Sequence, residues 1–190
     1  CPWDQKNWRG GRRAGSHLSP HSLESAMSIN ASILAGPHIM QTVANLQPGK
    51  PAPDFTAPIT SGEIIRLSIY RGRKVVLYFY PKDDTPGCTV EACGLRDHYH
   101  KIRELGAEVL GVSIDDVESH RKFTQKFNIP FPLVADVDAK ITEAYGVYNE
   151  KWKMARRVTF LIDEQGNIAR IFDPVKPDVH PKEVLDALKA

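Results

Sequence analysis

Two of the three cysteines in this chain lie close together in the stretch PKDDTPGCTVEACGLRD. They are Cys88 and Cys93. Thiols at such short spacing can be metal ligands, a redox pair, or small residues packed in a core. The core interpretation suits Cys93 better than Cys88. Choosing among these chemistries requires the elements that hold the two side chains.

Metal binding is the weakest of the three interpretations. Structural zinc sites use cysteine pairs that are usually separated by roughly two to four residues, together with a second pair of ligands. His98 and His100 follow the cysteines, but the sequence has no second cysteine pair. We therefore expect no metal here. A C-x-x-C dithiol is also absent, which disfavours a plain disulfide oxidoreductase.

Cys88 is expected in the first turn of a helix that follows a buried strand. The run KVVLYFYP (74–81) is continuously apolar and rich in β-formers, as in a central strand. Thr85 is a good helix N-cap, Pro86 suits the first helical position, and Gly106 is a stop signal. Unpaired amide groups and the helix dipole favour an anion at this position. The placement therefore favours the thiolate form of Cys88.

Cys93 falls within the same predicted helix. Five residues of ideal helix rise about 7.5 Å and separate the two Cα atoms by roughly 8–9 Å. A disulfide requires Cα atoms within about 7 Å and converging Cβ vectors. A Cys88–Cys93 bond therefore requires the first turns of the helix to unwind.

The rest of the chain alternates strand and helix patterns. A continuous mixed sheet follows from this order, with helices on both faces and a strand hairpin around the turn EQG. Predicted strands are 107–114, 131–136, 157–163 and 167–172, and predicted helices are 116–128, 138–146 and 180–190. We thus predict an α/β fold with a central mixed β-sheet.

The first part of the chain differs from the rest in its amino-acid composition. Residues 1–45 are rich in Ser, His, Gly and Arg without a sustained apolar period, and we expect them to be disordered or non-native. An organellar import signal is the alternative, since this segment is poor in acids and carries Arg and Ser. Residues 46–190 form the predicted domain.

Charge and composition limit the possible partners. Residues 1–39 hold four of the 25 basic and two of the 23 acidic side chains, which leaves 21 of each from Met40 onward. This balance gives no argument for nucleic-acid binding. No apolar run approaches the roughly 18–20 residues that span a bilayer, so no membrane partner is expected. Cysteines are also too few for a disulfide scaffold, which suits a reducing, cytoplasmic compartment.

The cysteine segment resembles a known signature. PKDDTPGCT fits the P-x-x-x-T-x-x-C pattern of peroxiredoxins, and CTVEACGLRD is similar to the subfamily called bacterioferritin comigratory protein or peroxiredoxin Q. Further similar segments are GKPAPDFTAP, LGVSIDD, SHRKF, YGVY, RVTFLID and HPKEVLDALK. The resemblance extends over roughly residues 46–190 and implies a thioredoxin-like fold.

The resemblance also implies a role for five residues. Cys88 matches the peroxidatic cysteine and Cys93 the resolving cysteine that forms a disulfide within the chain. Thr85 matches the hydroxyl that orients the peroxide, and Pro81 the residue that shields the pocket from water. Arg157 matches the arginine that steadies the thiolate. A thioredoxin-type donor would then reduce the disulfide.

Several polar residues near these positions have simpler interpretations. Neighbours in a strand face opposite ways, so one of Arg156 and Arg157 is expected at the site and the other in solvent. The spacing to Phe160 in the family pattern favours Arg157 at the site. Glu91 is expected at a solvated helix position, as are His98 and His100. Four acids are expected as caps and turn residues rather than as metal ligands: Asp115, Asp116, Asp136 and Asp138.

The residues by themselves indicate an active thiol, and the resemblance implies a thiol-specific peroxidase. It would reduce hydrogen peroxide and organic hydroperoxides as a monomer, without metal or organic cofactor, and be recycled by thioredoxin. Two alternatives stay open at this point. One is a protein thiol–disulfide reductase, and the other is a redox-sensing holdase that uses Cys88 oxidation only as a signal.

Overall fold

The computed structural model describes residues 46–190, so the expected 1–45 tail lies outside the described residues. Nine strands and four α-helices occur in this part of the chain. In order they are β1 (Thr56–Pro58), β2 (Ile64–Arg66), β3 (Lys74–Phe79), α1 (Pro86–Glu104), β4 (Ala107–Ser113), α2 (Val117–Phe127), β5 (Leu133–Ala135), α3 (Lys140–Ala144), β6 (Tyr148–Asn149), β7 (Met154–Ala155), β8 (Val158–Ile162), β9 (Ile168–Phe172) and α4 (His180–Lys189). A 3-10 turn, Leu67–Tyr70, precedes β3.

Five of these strands form the central sheet, in the order β5-β4-β3-β8-β9. Strand β3 pairs parallel to β4 and antiparallel to β8, so the sheet is mixed. Strands β8 and β9 form the hairpin expected around EQG. Because β3 lies in the middle, it is covered on both faces, and this accounts for its continuous apolar run.

Alternate residues of β3 separate the core into two layers. The first layer lies between one face of the sheet and helices α1, α2 and α4. It includes Val76, Tyr78, Cys88, Leu95, Phe123 and Leu185. The other face is covered by the β1–β2 hairpin, the 3-10 turn and α3, and includes Val75, Leu77, Phe79, Ile65, Leu67 and Ile141. Helices on both faces of a central mixed sheet are therefore confirmed.

A glycine in β4 makes room for one large side chain of the first layer. A Cβ atom at Gly111 would lie 2.7 Å from the Tyr78 hydroxyl oxygen and 2.7 Å from a Leu133 methyl carbon. Glycine therefore allows Tyr78 to lie flat across its paired strand. Within residues 46–190, no helix is long and apolar enough to cross a membrane.

Candidate active site

The loop after β3 leads directly into α1, as expected. Thr85 is the N-cap with an extended backbone (φ −95, ψ 152), and Pro86 begins the helix. The Thr85 side chain makes no capping hydrogen bond, and its hydroxyl donates to the Lys82 carbonyl oxygen at 3.0 Å. Cys88 is the third helical residue and is only 1% exposed. Its first-turn position was predicted and is confirmed.

Arg157 reaches the Cys88 sulfur from the neighbouring strand. The residue lies directly before β8, and its Nη2 donates to Cys88 Sγ at 3.2 Å. Arg156 faces the other way, where its Nη1 contacts Asp173 Oδ2 at 3.0 Å near solvent. The alternation argument for the two arginines is therefore confirmed. The arrangement places a permanent cation against the thiol.

Glu91 was expected in solvent, and this was wrong. Its side chain is fully buried and forms an ion pair with Arg157 Nη1. Residues three apart lie on one face of a helix, so Glu91 shares the inward face of α1 with Cys88. Its other carboxylate oxygen, Oε1, is buried and has no hydrogen-bond partner among residues 46–190.

Burial and charge shift the proton affinities of this pair. Burial raises the pKa of Glu91 to about 7, although the charge and hydrogen bond of Arg157 act to lower it. Burial alone would lower the pKa of Arg157, but Glu91 and Cys88 outweigh this effect and raise it. Arg157 therefore stays charged, while Glu91 changes its protonation near neutral pH. The site holds one fixed cation between two groups that can each become anionic.

Cys93 lies further along the same helix and is buried. Cys88 is a free thiol, so the two cysteines are not bonded to each other. Helix α1 is continuous from Pro86 to Glu104, and both residues lie inside it. This agrees with the helical geometry that forbids a bond between them in the intact helix. Pro81, half-buried, lies in the loop between β3 and α1.

Two further residues at the site were missed by the sequence reasoning. A Cβ atom at Gly87 would lie 3.2 Å from Arg157 Nη2, so glycine permits the close approach of the guanidinium. Tyr78 is buried, and burial together with the charges of Glu91, Asp83 and Cys88 raises its pKa. The alternation of β3 could have placed Tyr78 on the α1 side. The glycine directly before Cys88 was the available signal for Gly87.

The remaining acids behave largely as expected. Asp116 caps α2 by accepting from the Ser119 amide at 2.8 Å, and Asp138 forms an ion pair with Lys140. Asp136 accepts from backbone and side-chain donors at the start of α3. Asp115 accepts from the amide of Asp83 at 2.9 Å, in the loop before α1. Their interpretation as cap and turn residues is confirmed.

The two histidines of α1 differ from each other. His100 is exposed, as expected, and contacts Glu104 at 3.3 Å. His98 is half-buried, and its Nδ1 lies 2.8 Å from the Gly94 carbonyl oxygen, so the prediction of an exposed position was wrong there. Across residues 46–190, no group of three or more His, Cys, Asp or Glu side chains could hold a metal ion.

Comparisons with known proteins agree with this geometry. Residues 48–171 match the model of the AhpC/TSA family. A putative peroxiredoxin bcp of Coxiella burnetii is 47% identical over 150 residues, which cover 76% of this chain and 99% of that protein. Peroxiredoxin Bcp of Bacillus subtilis is 44% identical over 147 residues, covering 74% of this chain and 94% of that protein.

Solved structures show the same relationship. Peroxidoxin BcpB from Mycobacterium tuberculosis superposes with a TM-score of 0.71 at 31% identity, covering 76% of this chain and 97% of that one. The described part of this chain therefore has the thioredoxin-like fold of these peroxiredoxins, as expected. This chain belongs to the AhpC/TSA family, in its Bcp/PrxQ group of peroxiredoxins, and is a thiol peroxidase.

Proposed function

We propose that Cys88 is the peroxidatic cysteine and that Arg157 activates it. The observation that carries the proposal is the 3.2 Å contact from Arg157 Nη2 to Cys88 Sγ. A guanidinium stabilises the thiolate and also the charge that develops on the departing peroxide oxygen. The start of α1 adds the amide groups of its first turn, which carry partial positive charge.

The peroxide step transfers one oxygen to sulfur. The Cys88 thiolate attacks one oxygen of the hydroperoxide, the S–O bond forms and the O–O bond breaks. The other oxygen leaves as alkoxide or hydroxide and takes up a proton, which yields an alcohol or water. The Thr85 hydroxyl donates a hydrogen bond to the Lys82 carbonyl oxygen. Its lone pairs can accept a hydrogen bond from the incoming peroxide. Pro81 contributes an apolar wall without an amide donor.

The protonation of Glu91 changes the strength of the attraction between Arg157 and the Cys88 thiolate. When Glu91 is ionised, the guanidinium divides its attraction between the carboxylate and the thiolate. With Glu91 protonated, the attraction acts on the thiolate alone. Since burial raises the pKa of Glu91 to about 7, this carboxyl changes its protonation near neutral pH.

Cys93 is the proposed resolving cysteine. Its thiolate attacks the Cys88 sulfenic sulfur, the S–S bond forms, the S–O bond breaks, and the oxygen leaves as water after protonation. Because both residues lie inside α1, the first turns must open before the sulfur atoms can meet. A thioredoxin-type dithiol then reduces the disulfide. We further propose that the protein acts as a monomer in a reducing, cytoplasmic compartment.

Two variants and mass spectrometry test these roles. In fully reduced protein with Cys1→Ser as background, Cys88→Ser should abolish peroxide consumption because no nucleophile remains. Cys93→Ser should consume about one equivalent of peroxide and then stop, leaving a sulfenic acid that dimedone traps. Peptide mapping after one equivalent of peroxide should find the Cys88–Cys93 bond in the parent protein.

Specific outcomes would contradict this assignment. Full peroxidase activity in Cys88→Ser would remove Cys88 from the chemistry. Sustained thioredoxin-dependent turnover in Cys93→Ser would show that the resolving thiol lies elsewhere. Rapid insulin reduction without peroxide would favour a protein disulfide reductase instead.

A further inference from the structure

The loop before α1 contains a buried carboxylate that the peroxide chemistry does not use. Asp83 accepts from the Tyr80 hydroxyl at 2.7 Å and from the Ser119 hydroxyl at 2.7 Å. The same carboxylate lies 2.8 Å from His120 Nδ1. The Asp83 amide in turn donates to Asp115 Oδ2 at 2.9 Å. Asp83 is thus held by Tyr80, which directly follows β3, by Asp115 in the β4–α2 connection, and by Ser119 and His120 in α2.

The contact between Asp83 and His120 contains a proton. His120 is fully buried, and its Nε2 lies 3.1 Å from the Val134 carbonyl oxygen. A carbonyl only accepts, so Nε2 carries a hydrogen. A carboxylate also only accepts, so the short contact to Nδ1 requires a second proton, on the ring or on Asp83. The pair therefore shares one proton across a short hydrogen bond that is buried on both sides.

Asp83 is followed by a residue with few ties to the rest of the fold. Upstream, the amide of Tyr80 donates to Val112 at 3.1 Å and continues the strand pairing. Directly downstream, Asp84 has a left-handed backbone (φ 53) and an exposed ion pair with Lys126. Exposed ion pairs stabilise a structure by little, typically about 0–1 kcal/mol. The chain is therefore least restrained at Asp84, between the ties of Asp83 and the buried residues of α1.

We propose that the Asp83–His120 pair is the fixed point from which the first turns of α1 open during the disulfide step. This inference rests on the proposed function, because only a Cys88–Cys93 bond requires that opening. The two residues act as a positioning pair and do not touch the reacting atoms. They hold the loop that carries Pro81 in place while Cys88 moves toward Cys93.

Such a fixed point changes the ratio of two competing reactions of the Cys88 sulfenic acid. The sulfenic acid can react with Cys93, which gives a disulfide and water. It can instead react with a second hydroperoxide, which gives a sulfinic acid and an alcohol or water. The first reaction needs the open helix, and the second needs the closed site. Removing the fixed point gives the open state more conformations and so favours the disulfide.

Two substitutions of Asp83 separate positioning from simple loss of structure. Asp83→Ala removes every hydrogen bond that the Asp83 side chain makes. Asp83→Asn keeps an acceptor for Tyr80 and offers an N–H group to a neutral His120, so it should rescue the loop. Glu108→Gln is the matched control, since Glu108 is a buried carboxylate at the start of β4, where it accepts from Tyr99 and Val109.

Hydrogen exchange measures the opening directly. In reduced protein with Cys1→Ser and Cys93→Ser, Asp83→Ala should raise amide exchange of residues 85–90 by about tenfold, as expected for the loss of the hydrogen bonds that the Asp83 carboxylate makes with Tyr80, Ser119 and His120. Asp83→Asn and Glu108→Gln should stay within about twofold of the parent protein. Unchanged exchange in Asp83→Ala would overturn the proposal, as would an equal rise in Glu108→Gln.

Product partition supplies the second measurement. With both cysteines of the site present, graded hydrogen peroxide is added, and the sulfinic and disulfide forms of Cys88 are quantified by mass spectrometry. Asp83→Ala should lower the sulfinic fraction about threefold or more, and Asp83→Asn should restore it. A raised or unchanged sulfinic fraction in Asp83→Ala would overturn the proposal.

The two measurements also separate this proposal from the proposed function. If the parent protein forms no Cys88–Cys93 bond, the assignment of Cys93 fails, whereas the exchange experiment still tests the fixed point. Should Asp83→Ala not fold, Ser119→Ala removes one donor to the same carboxylate. It should then raise amide exchange of residues 85–90 by about fivefold, which lies above the twofold range of the controls. No change in exchange there would also overturn the proposal.

Discussion

Two buried carboxylates, Glu91 in α1 and Asp136 before α3, lie in contrasting environments. Both oxygens of Asp136 accept hydrogen bonds, from the Ile141 amide at 3.0 Å and from the Thr142 amide and hydroxyl at 2.7 and 2.6 Å. Glu91 uses one oxygen for Arg157, and its Oε1 has no partner among the described residues.

The contrast distinguishes a carboxylate that holds the fold from one that serves the site. Asp136 fixes the start of a short helix, and its donors can only be arranged by the folded backbone. Glu91 is incompletely bonded and has a pKa raised to about 7 by burial, so it can exchange a proton under ordinary conditions. Incomplete hydrogen bonding at a buried acid therefore indicates chemistry or tuning, whereas complete hydrogen bonding indicates structure.

The largest expected effect comes from removing the cation that Glu91 faces. Arg157→Ala should lower the second-order rate constant for hydrogen peroxide by about 10²–10³-fold, because the thiolate and the departing oxygen lose their fixed positive partner. Stopped-flow peroxide consumption measures this. Arg156→Ala is the matched control and should stay within about twofold of the parent, since its side chain faces Asp173. Equal losses in both variants would contradict the assignment to Arg157.

A second test concerns the titration of Glu91 itself. Glu91→Gln keeps a hydrogen bond to Arg157 but removes the competing charge, so alkylation of Cys88 by iodoacetamide at about pH 8, where Glu91 is ionised, should become roughly threefold faster or more. Slower alkylation would mean that Glu91 acts mainly by holding Arg157 in place.

The same variant has a predicted effect on stability. The folded pKa of Glu91, about 7, lies above its ordinary value of 4.5, so its protonated form favours folding. That contribution is fully present below pH 4.5 and is lost as the pH rises through about 7. Relative to Glu91→Gln, the parent should therefore lose up to about 3 kcal/mol of unfolding free energy over this range. Urea unfolding at several pH values measures the difference, and a flat difference would contradict it.

The smallest effect on activity is expected at the other carboxylate. Asp136→Asn replaces an acceptor of three hydrogen bonds and should cost about 1–3 kcal/mol in unfolding free energy. Peroxidase activity of the folded protein should remain within about twofold of the parent. A large loss of activity without loss of stability would remove the distinction between the two acids.

Local signals in the sequence were sufficient for the elements that carry the site. The apolar run of β3, the Thr85-Pro86 helix start and the alternation of the two arginines each depend on residues adjacent in the chain. For this reason the position of Cys88 in the first turn of α1 was predicted correctly, whereas the choice of Arg157 over Arg156 as the inward residue came from the family pattern. The prediction for Glu91 failed because its environment depends on a residue 66 positions away in the chain.

The residues themselves determined that a thiol would stand at a helix start with a second thiol inside the same helix. Spacing and capping are local, and backbone geometry then forbids a bond between the two in the intact helix. Only the tertiary structure decided that Glu91 shares Arg157 with Cys88 and that Asp83 meets His120. Such contacts join segments that are distant in the chain, and their energies depend on how completely the fold excludes water around them.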